Sequence, residues 1–149
     1  MSEITASQGR RATGGKWTRP DVIIAAVRTY QFTPGKRLEI ITFEVKPNVA
    51  TAFEGVYEAL AHSVFAHRAY LAVNVKEYKD VEEIPDDRIT LECERHGVGY
   101  MTFGDPSDYG TFEVVNAARL REPDPFEVDN FIRKQLNSDN QDQLREFLQ

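Results

Sequence analysis

Cysteine is almost absent from this chain, with Cys93 as the one example. A single thiol excludes a disulfide framework within the chain and also excludes a cysteine-rich zinc site. Long apolar runs are missing as well, because stretches such as 22–27 are far too short to cross a bilayer. Residues 1–15 are polar and contain no apolar core of a signal peptide. We therefore expect a cytoplasmic protein with no membrane partner.

Negative charges outnumber positive ones, 24 Asp/Glu against 18 Lys/Arg, and the net charge of −6 argues at first against a nucleic-acid partner. The distribution is uneven, however. Residues 1–76 hold ten Lys/Arg and six Asp/Glu, a balance of +4, whereas residues 77–149 hold eight and eighteen, a balance of −10. A phosphate-binding surface on the basic half is physically reasonable. An acidic second half that only aids solubility explains the same numbers.

Apolar residues are present in the proportion of a folded domain, at 41% of 149 residues. The apolar run Val22–Val27 predicts a strand, and the turn at 33–36 separates it from a second strand over Leu38–Val45. We expect the two strands to pair as an antiparallel hairpin. Residues 1–15 are predicted to be a flexible polar and basic lead-in, and residues 16–149 to form the domain.

A helix is predicted over Ala52–His67, because apolar residues recur at helical spacing and Thr51 and Glu54 have the spacing of a capping box. A strand over Ala69–Val75 follows, so the helix should cross between two strands of one sheet. The rest of the chain predicts helices at Pro85–His96 and 126–136, strands at 98–103 and 112–117, and a helical 141–148 that extends or follows its predecessor. The fold class is therefore α/β, a mixed sheet flanked by helices.

Three charged residues interrupt the predicted hairpin. Glu44 and Lys46 are two apart in a strand, so their side chains point to the same face. Asp21 opens the partner strand and should come beside the end of the second strand. Two carboxylates and an ammonium would then converge, a set that suits phosphodiester hydrolysis: Asp21, Glu44 and the Val45 carbonyl as oxygen ligands of Mg²⁺, and Lys46 to orient water or stabilise phosphate charge. The alternative is a turn aspartate and a solvated strand edge.

The sequence resembles the PD-(D/E)xK nuclease superfamily in two motifs, Arg19-Pro-Asp21 and Phe43-Glu-Val-Lys46. A predicted helix after the lysine, followed by a strand, fits the same superfamily. The likeness covers about residues 14–103 and is to bacterial restriction and defence nucleases. It implies a restriction-endonuclease-like fold and an Mg²⁺-dependent DNA endonuclease, with Mn²⁺ as a substitute. It also implies that Glu58, on the helix, faces the site as an accessory group. Otherwise Glu54, Glu58 and His62 form a solvent-facing row.

The superfamily usually has a helix before the aspartate-bearing strand, and few residues precede Trp17 here. Without that helix, apolar surface of the sheet would be left uncovered. Either a second copy in a homodimer or a partner protein covers it, or the chain is a catalytically silent DNA-binding or scaffolding subunit. An unrelated α/β domain is a third alternative. The apolar residues of segment 122–149 are candidates for the interface, or else pack on their own domain. The predicted DNA contacts are Arg10, Arg11, Lys16, Trp17 and Arg19. The alternative is that the basic residues form an unstructured tail and that Trp17 belongs to the core.

Overall fold

Six strands form one mixed sheet in the computed structural model, which describes residues 1–6, 19–76 and 87–149. The strands are β1 (Ser2–Ile4), β2 (Val22–Thr29), β3 (Lys36–Lys46), β4 (Arg68–Asn74), β5 (Gly99–Phe103) and β6 (Glu113–Asn116). Their spatial order follows the chain, from β1 to β6. The β3–β4 and β4–β5 pairs are parallel and the other three are antiparallel. The expected hairpin is the β2–β3 pair.

Within the described ranges, four helices flank this sheet: α1 (Ala52–His62), α2 (Asp87–His96), α3 (Pro125–Gln135) and α4 (Ser138–Leu148). The expected class, an α/β fold with a mixed sheet and flanking helices, is confirmed. Helix α1 connects two parallel neighbours, β3 and β4, as the predicted crossover requires. None of the helices in the described ranges is long and apolar enough to span a membrane.

Both apolar clusters of the core pack on the same face of the sheet. One joins α1 and α2 to Leu71 and Val73 of β4, and the other joins α3 and α4 to Ile23 of β2 and Ile40 of β3. Residues paired across neighbouring strands share a face, and the pairs Glu44–Leu71 and Lys46–Val73 belong to this one. The predicted site residues of β3 therefore lie under α1.

Two predictions at the ends of α1 were wrong. Thr51 occupies the N-cap position, but its side chain makes no capping hydrogen bond. Asn48 instead caps a short 3-10 turn, Val49–Thr51, that precedes the helix. Helix α1 also ends at His62 rather than His67, because the chain turns there to bury Phe65, whose ring stacks on Phe131 with centroids 3.8 Å apart.

The N-terminal prediction was wrong in part. Residues 2–4 are not a lead-in but form the edge strand β1, antiparallel to β2, while residues 7–18 lie outside the described residues. Pro85 also lies outside them, and α2 is described from Asp87. Near the C-terminus, Leu136 ends α3 in extended conformation and Asn137 caps α4, so the two helices are separate.

Candidate metal and active site

Asp21 lies just before β2, at a corner held by two other strands. Its N–H donates to the Phe43 carbonyl at 3.0 Å, and its own carbonyl accepts from Thr5 N–H at 2.9 Å. Its carboxylate Oδ2 accepts the N–H of Val45 at 2.8 Å. Val45 of β3 holds the Asp21 carboxylate, and Thr5, the residue after β1, holds the backbone carbonyl, so Asp21 is anchored beside residues 44–46. The N-terminal strand, which the sequence analysis did not predict, provides half of that anchor.

Glu44, Lys46 and Glu58 form a charged cluster between β3 and α1. Lys46 Nζ donates to Glu44 Oε1 at 3.0 Å and also donates to Glu58 Oε2. The three side chains are only 11% to 14% exposed. The pair in β3 points to one face because its members are two residues apart, and Glu58 reaches them because α1 packs on that face. Burying charges this far is costly without partners, and here they are partners for one another.

Gly55 explains how α1 comes so close to Lys46. A Cβ at this position would lie 2.7 Å from Leu71 Cδ1 and 2.8 Å from Lys46 Cε, closer than real side chains allow. Glycine costs helix stability relative to alanine, by about 1 kcal/mol. The missing methyl leaves room for the lysine stem to pass beneath the helix toward Glu58. The sequence signal was a glycine inside an amphipathic helix, and its significance depends on the packing of α1 on β3.

The cluster holds an excess of negative charge. Burial, a hydrogen bond with Glu58 and the charge of Asp21 raise the pKa of Glu44 to about 8, against the opposing effect of Lys46. Burial also raises the pKa of Glu58, but its hydrogen bonds with Glu44 and Lys46 outweigh burial, so that pKa is lowered. Near neutral pH the pair therefore holds a proton, on Glu44, beside an ionised Glu58. A bound cation would relieve the repulsion that keeps this proton in place.

His62 completes the buried side of the cluster, one helical turn beyond Glu58. Its ring is fully buried, and Nε2 lies 4.0 Å from Glu44 Oε2. Neither ring nitrogen has a hydrogen-bond partner among the described residues. Burial lowers the pKa of His62 to about 4, so the ring is neutral at neutral pH. The sequence analysis placed this residue in a solvent-facing row; its spacing of four from Glu58 was the available signal for an inward role.

The structure therefore brings Asp21, Glu44, Lys46 and Glu58 together. Glu54 is exposed, whereas Glu58 and His62 face inward, so the three do not form one solvent-facing row. The described part of the candidate DNA contacts is Arg19, whose guanidinium donates to the Ala6 carbonyl at 3.0 Å. The other candidates lie outside the described residues: Arg10, Arg11, Lys16 and Trp17.

The donor set suits a hard divalent cation. Asp21 and Glu44 offer carboxylate oxygens and Val45 offers a carbonyl, which are the ligand types of Mg²⁺. The pKa of Glu44 is raised first by burial and then by Glu58 and Asp21, two further carboxylates beside it. Within the described ranges, no three His, Cys, Asp or Glu side chains are already spaced to hold a metal ion. The predicted set has only two such side chains, and Lys46 occupies the space between Glu44 and Glu58.

A cavity of about 420 Å³ lies elsewhere, between α3, α4 and the start of β3. Its apolar lining includes Leu38, Val128, Ile132 and Leu144, and none of the charged cluster contributes to it. The C-terminal apolar residues divide between two environments. Those in the core are Val128, Phe131, Leu136 and Leu144, whereas the exposed ones are Phe126, Phe147 and Leu148. Own-domain packing thus accounts for part of the predicted interface segment and leaves an exposed remainder.

The chain is similar to few known proteins. No protein-family model matches the chain, and no curated protein does. A solved structure of a protein of unknown function from Silicibacter pomeroyi is similar to it, with a TM-score of 0.49 and 18% identity, over 97% of this chain and 75% of that chain. A similarity at this level bears on no function.

Proposed function

We propose that this protein is an Mg²⁺-dependent endonuclease of the PD-(D/E)xK type that hydrolyses phosphodiester bonds of DNA in restriction or phage defence. The observation that supports it is the Lys46 ammonium held by Glu44 and Glu58, beside an anchored Asp21. The cluster combines cation ligands with one positive charge, which are the two requirements of phosphate chemistry.

Each residue has a defined task in this mechanism. Asp21, Glu44 and the Val45 carbonyl would hold Mg²⁺, which polarises the phosphate and lowers the pKa of a bound water; Mn²⁺ can substitute. Lys46 stabilises the negative charge that develops on the phosphate oxygens, or orients the attacking water. Glu58 accepts a hydrogen bond from Lys46 Nζ and so fixes the direction of the ammonium. Val45 N–H keeps the Asp21 carboxylate turned toward the site.

The substrate and assembly follow from charge and from the requirements of cutting two strands. The basic half of the chain contains every residue of the cluster, which favours a polyanionic substrate there. Cleavage of both strands needs two sites or two events, and a two-fold dimer is the common solution. The exposed Phe126, Phe147 and Leu148 support the segment 122–149 as the contact with a second copy or a partner protein.

A second function is favoured by one feature of the same cluster. Lys46 is already paired with two carboxylates, and the described residues hold no preassembled group of three metal ligands. A catalytically silent subunit that binds DNA or serves as a scaffold would retain these pairs as structural ion pairs. In that case the cluster would stabilise the fold without any response to divalent cations.

A nuclease assay with matched variants separates the two functions. Duplex DNA, single-stranded DNA and RNA are incubated with wild-type protein in Mg²⁺, Mn²⁺ or EDTA, beside Asp21→Asn and Lys46→Ala purified in parallel. We expect cleavage of DNA by wild type that EDTA abolishes and both variants lose by about a hundredfold or more. Equal cleavage by wild type and variants would indicate a contaminant, and no cleavage by any of them would favour the silent subunit.

A further inference from the structure

His62 is a polar ring buried next to the charged cluster without a partner of its own. Its side chain has no exposed surface, and both ring nitrogens lack hydrogen bonds among the described residues. Buried polar atoms normally make hydrogen bonds, so a ring in which both nitrogens lack one requires a physical explanation. The ring stacks on Phe65, with centroids 5.9 Å apart, which accounts for its apolar contacts but not for an imidazole at this position.

The group nearest to the His62 nitrogens within the cluster is the Glu44 carboxylate. Glu44 Oε1 accepts from Lys46, whereas Oε2 lies 4.0 Å from His62 Nε2. That separation exceeds the length of a hydrogen bond by about 1 Å. A neutral imidazole carries one N–H and one bare nitrogen. A metal ligand is deprotonated, and an ionised Glu44 favours the tautomer with the hydrogen on the nitrogen that faces it.

We propose that His62 is a positioning residue for the candidate active site, whose Nε2–H holds Glu44 Oε2 and so sets the orientation of that carboxylate toward a divalent cation. The inference rests on the proposed function for the cation, but the tautomer and the contact belong to this chain alone. Groups behind a metal ligand commonly orient it, and their loss weakens metal affinity by about 10- to 100-fold. Helix α1 thus supplies two supports from successive turns, Glu58 for Lys46 and His62 for Glu44.

Metal-dependent melting of two variants tests this role without any activity measurement. His62→Phe keeps the aromatic volume and removes both nitrogens, whereas His62→Gln keeps a donor. We expect His62→Phe to melt at or above the temperature of the metal-free wild type, and to need about tenfold more Mg²⁺ or Mn²⁺ for a half-maximal rise in melting temperature. His62→Gln should require no more than about threefold more.

Gln135 provides the matched control. It is buried at the end of α3, its Oε1 has no partner among the described residues, and it belongs to no part of the charged cluster. Gln135→Met therefore removes a buried polar group in the same way, and we expect an unchanged response to metal. A His62→Phe protein with the metal response of wild type would show that the ring is only part of the core.

The ring tautomer gives a second readout that does not depend on metal. Nitrogen-15 spectra of the metal-free wild type, recorded well above pH 8 so that Glu44 is ionised, should show a neutral His62 protonated at Nε2, and Glu44→Ala should produce a mixture of tautomers. Protonation at Nδ1 in wild type would contradict the positioning role whatever the metal does. If wild type shows no metal response but does show the Nε2–H tautomer lost in Glu44→Ala, the proposed nuclease fails and the contact between His62 and Glu44 stands.

Discussion

Strand β3 buries two glutamates on opposite faces, and their surroundings differ. Glu39 is 8% exposed and Glu44 is 9% exposed. Glu39 lies between two guanidinium groups, with Arg28 Nε at 2.6 Å and Arg68 Nε at 2.7 Å. Burial raises the pKa of Glu39, but the hydrogen bonds from Arg68 and Arg28 outweigh it, so that pKa is lowered.

Glu44 has the opposite balance of charge around it. It shares one cation, Lys46, with Glu58, and a third carboxylate, Asp21, lies close enough to raise its pKa further. Two arginines pair with the single carboxylate of Glu39. At Glu44, in contrast, one lysine pairs with two carboxylates, and the third, Asp21, adds further negative charge. Burial is therefore a poor indicator of a functional carboxylate, and uncompensated negative charge is a better one. The two arginines fully compensate the charge of Glu39. The excess of carboxylates around Glu44 leaves that site able to bind a cation.

The largest expected effect comes from neutralising each glutamate in turn. Glu44→Gln removes a predicted metal ligand and the orienting partner of Lys46, so we expect DNA cleavage to fall by about a hundredfold or more. Glu39→Gln should leave cleavage unchanged at temperatures where both proteins are folded. Initial rates on the same duplex, at equal concentrations of folded protein, provide the measurement. A similar loss in both variants would mean that the two glutamates differ less than their neighbours suggest.

The stability of the two variants should reverse that ranking. Glu39→Gln leaves Arg28 and Arg68 without their carboxylate, so we expect its melting temperature to fall by several degrees. Glu44→Gln removes a repelling charge from a group whose pKa is raised, and we expect no loss of stability near pH 8. Differential scanning calorimetry at low salt, without divalent cations, measures both. A stabilised Glu39→Gln would contradict the structural role of the arginine pairs.

The dependence of stability on pH distinguishes the sites further. The pKa of Glu44 rises from an ordinary 4.5 to about 8, so the folded chain holds a proton that the unfolded chain releases, and stability falls as pH rises through this range. The pKa of His62 falls from 6.5 to about 4, so stability also falls as pH drops through that lower range.

Between about pH 6.5 and 8 only Glu44 of these two titrates, and urea unfolding should show the free energy of unfolding decreasing there. The decrease should vanish in Glu44→Gln and persist in Glu39→Gln, because the pKa of the wild-type Glu39 carboxyl is lowered and already lies below the window. Saturating Mg²⁺ should also oppose it, by binding the folded state. A wild-type curve that is flat over this interval is the contrary outcome.

The smallest effect concerns the space that admits Lys46. Gly55→Ala gains helix propensity of about 1 kcal/mol, but its Cβ meets Leu71 and Lys46. We expect the gain in helix propensity and the cost of the steric contact nearly to cancel, with little change in melting temperature. The displaced Lys46 should lower cleavage by about tenfold, since small displacements of catalytic groups have large kinetic effects. A full rise in melting temperature with unchanged cleavage would show that the lysine stem is not confined by Gly55.

Local patterns were sufficient to predict much of the fold. The apolar run 22–27 and the turn at 33–36 predicted the β2–β3 hairpin, and Gly35 in that turn has a φ of +88°. The helical spacing after Asn48 predicted α1 and hence a parallel β4. The misses lay where a tertiary contact overrides a local signal: β1 is too short to show periodicity, and the end of α1 at His62 depends on Phe65 reaching Phe131.

The amino-acid sequence by itself determined that Glu44 and Lys46 share a face of β3, because strands alternate every two residues, and that Asp21 opens the neighbouring strand. Only the tertiary structure decided what surrounds them. The packing of α1 brings Glu58 to Lys46 and His62 to within 4.0 Å of Glu44, and β1 anchors Asp21 from the other side. The charge state of a carboxylate depends on burial and on neighbours a few ångströms away, and those neighbours are distant in the chain.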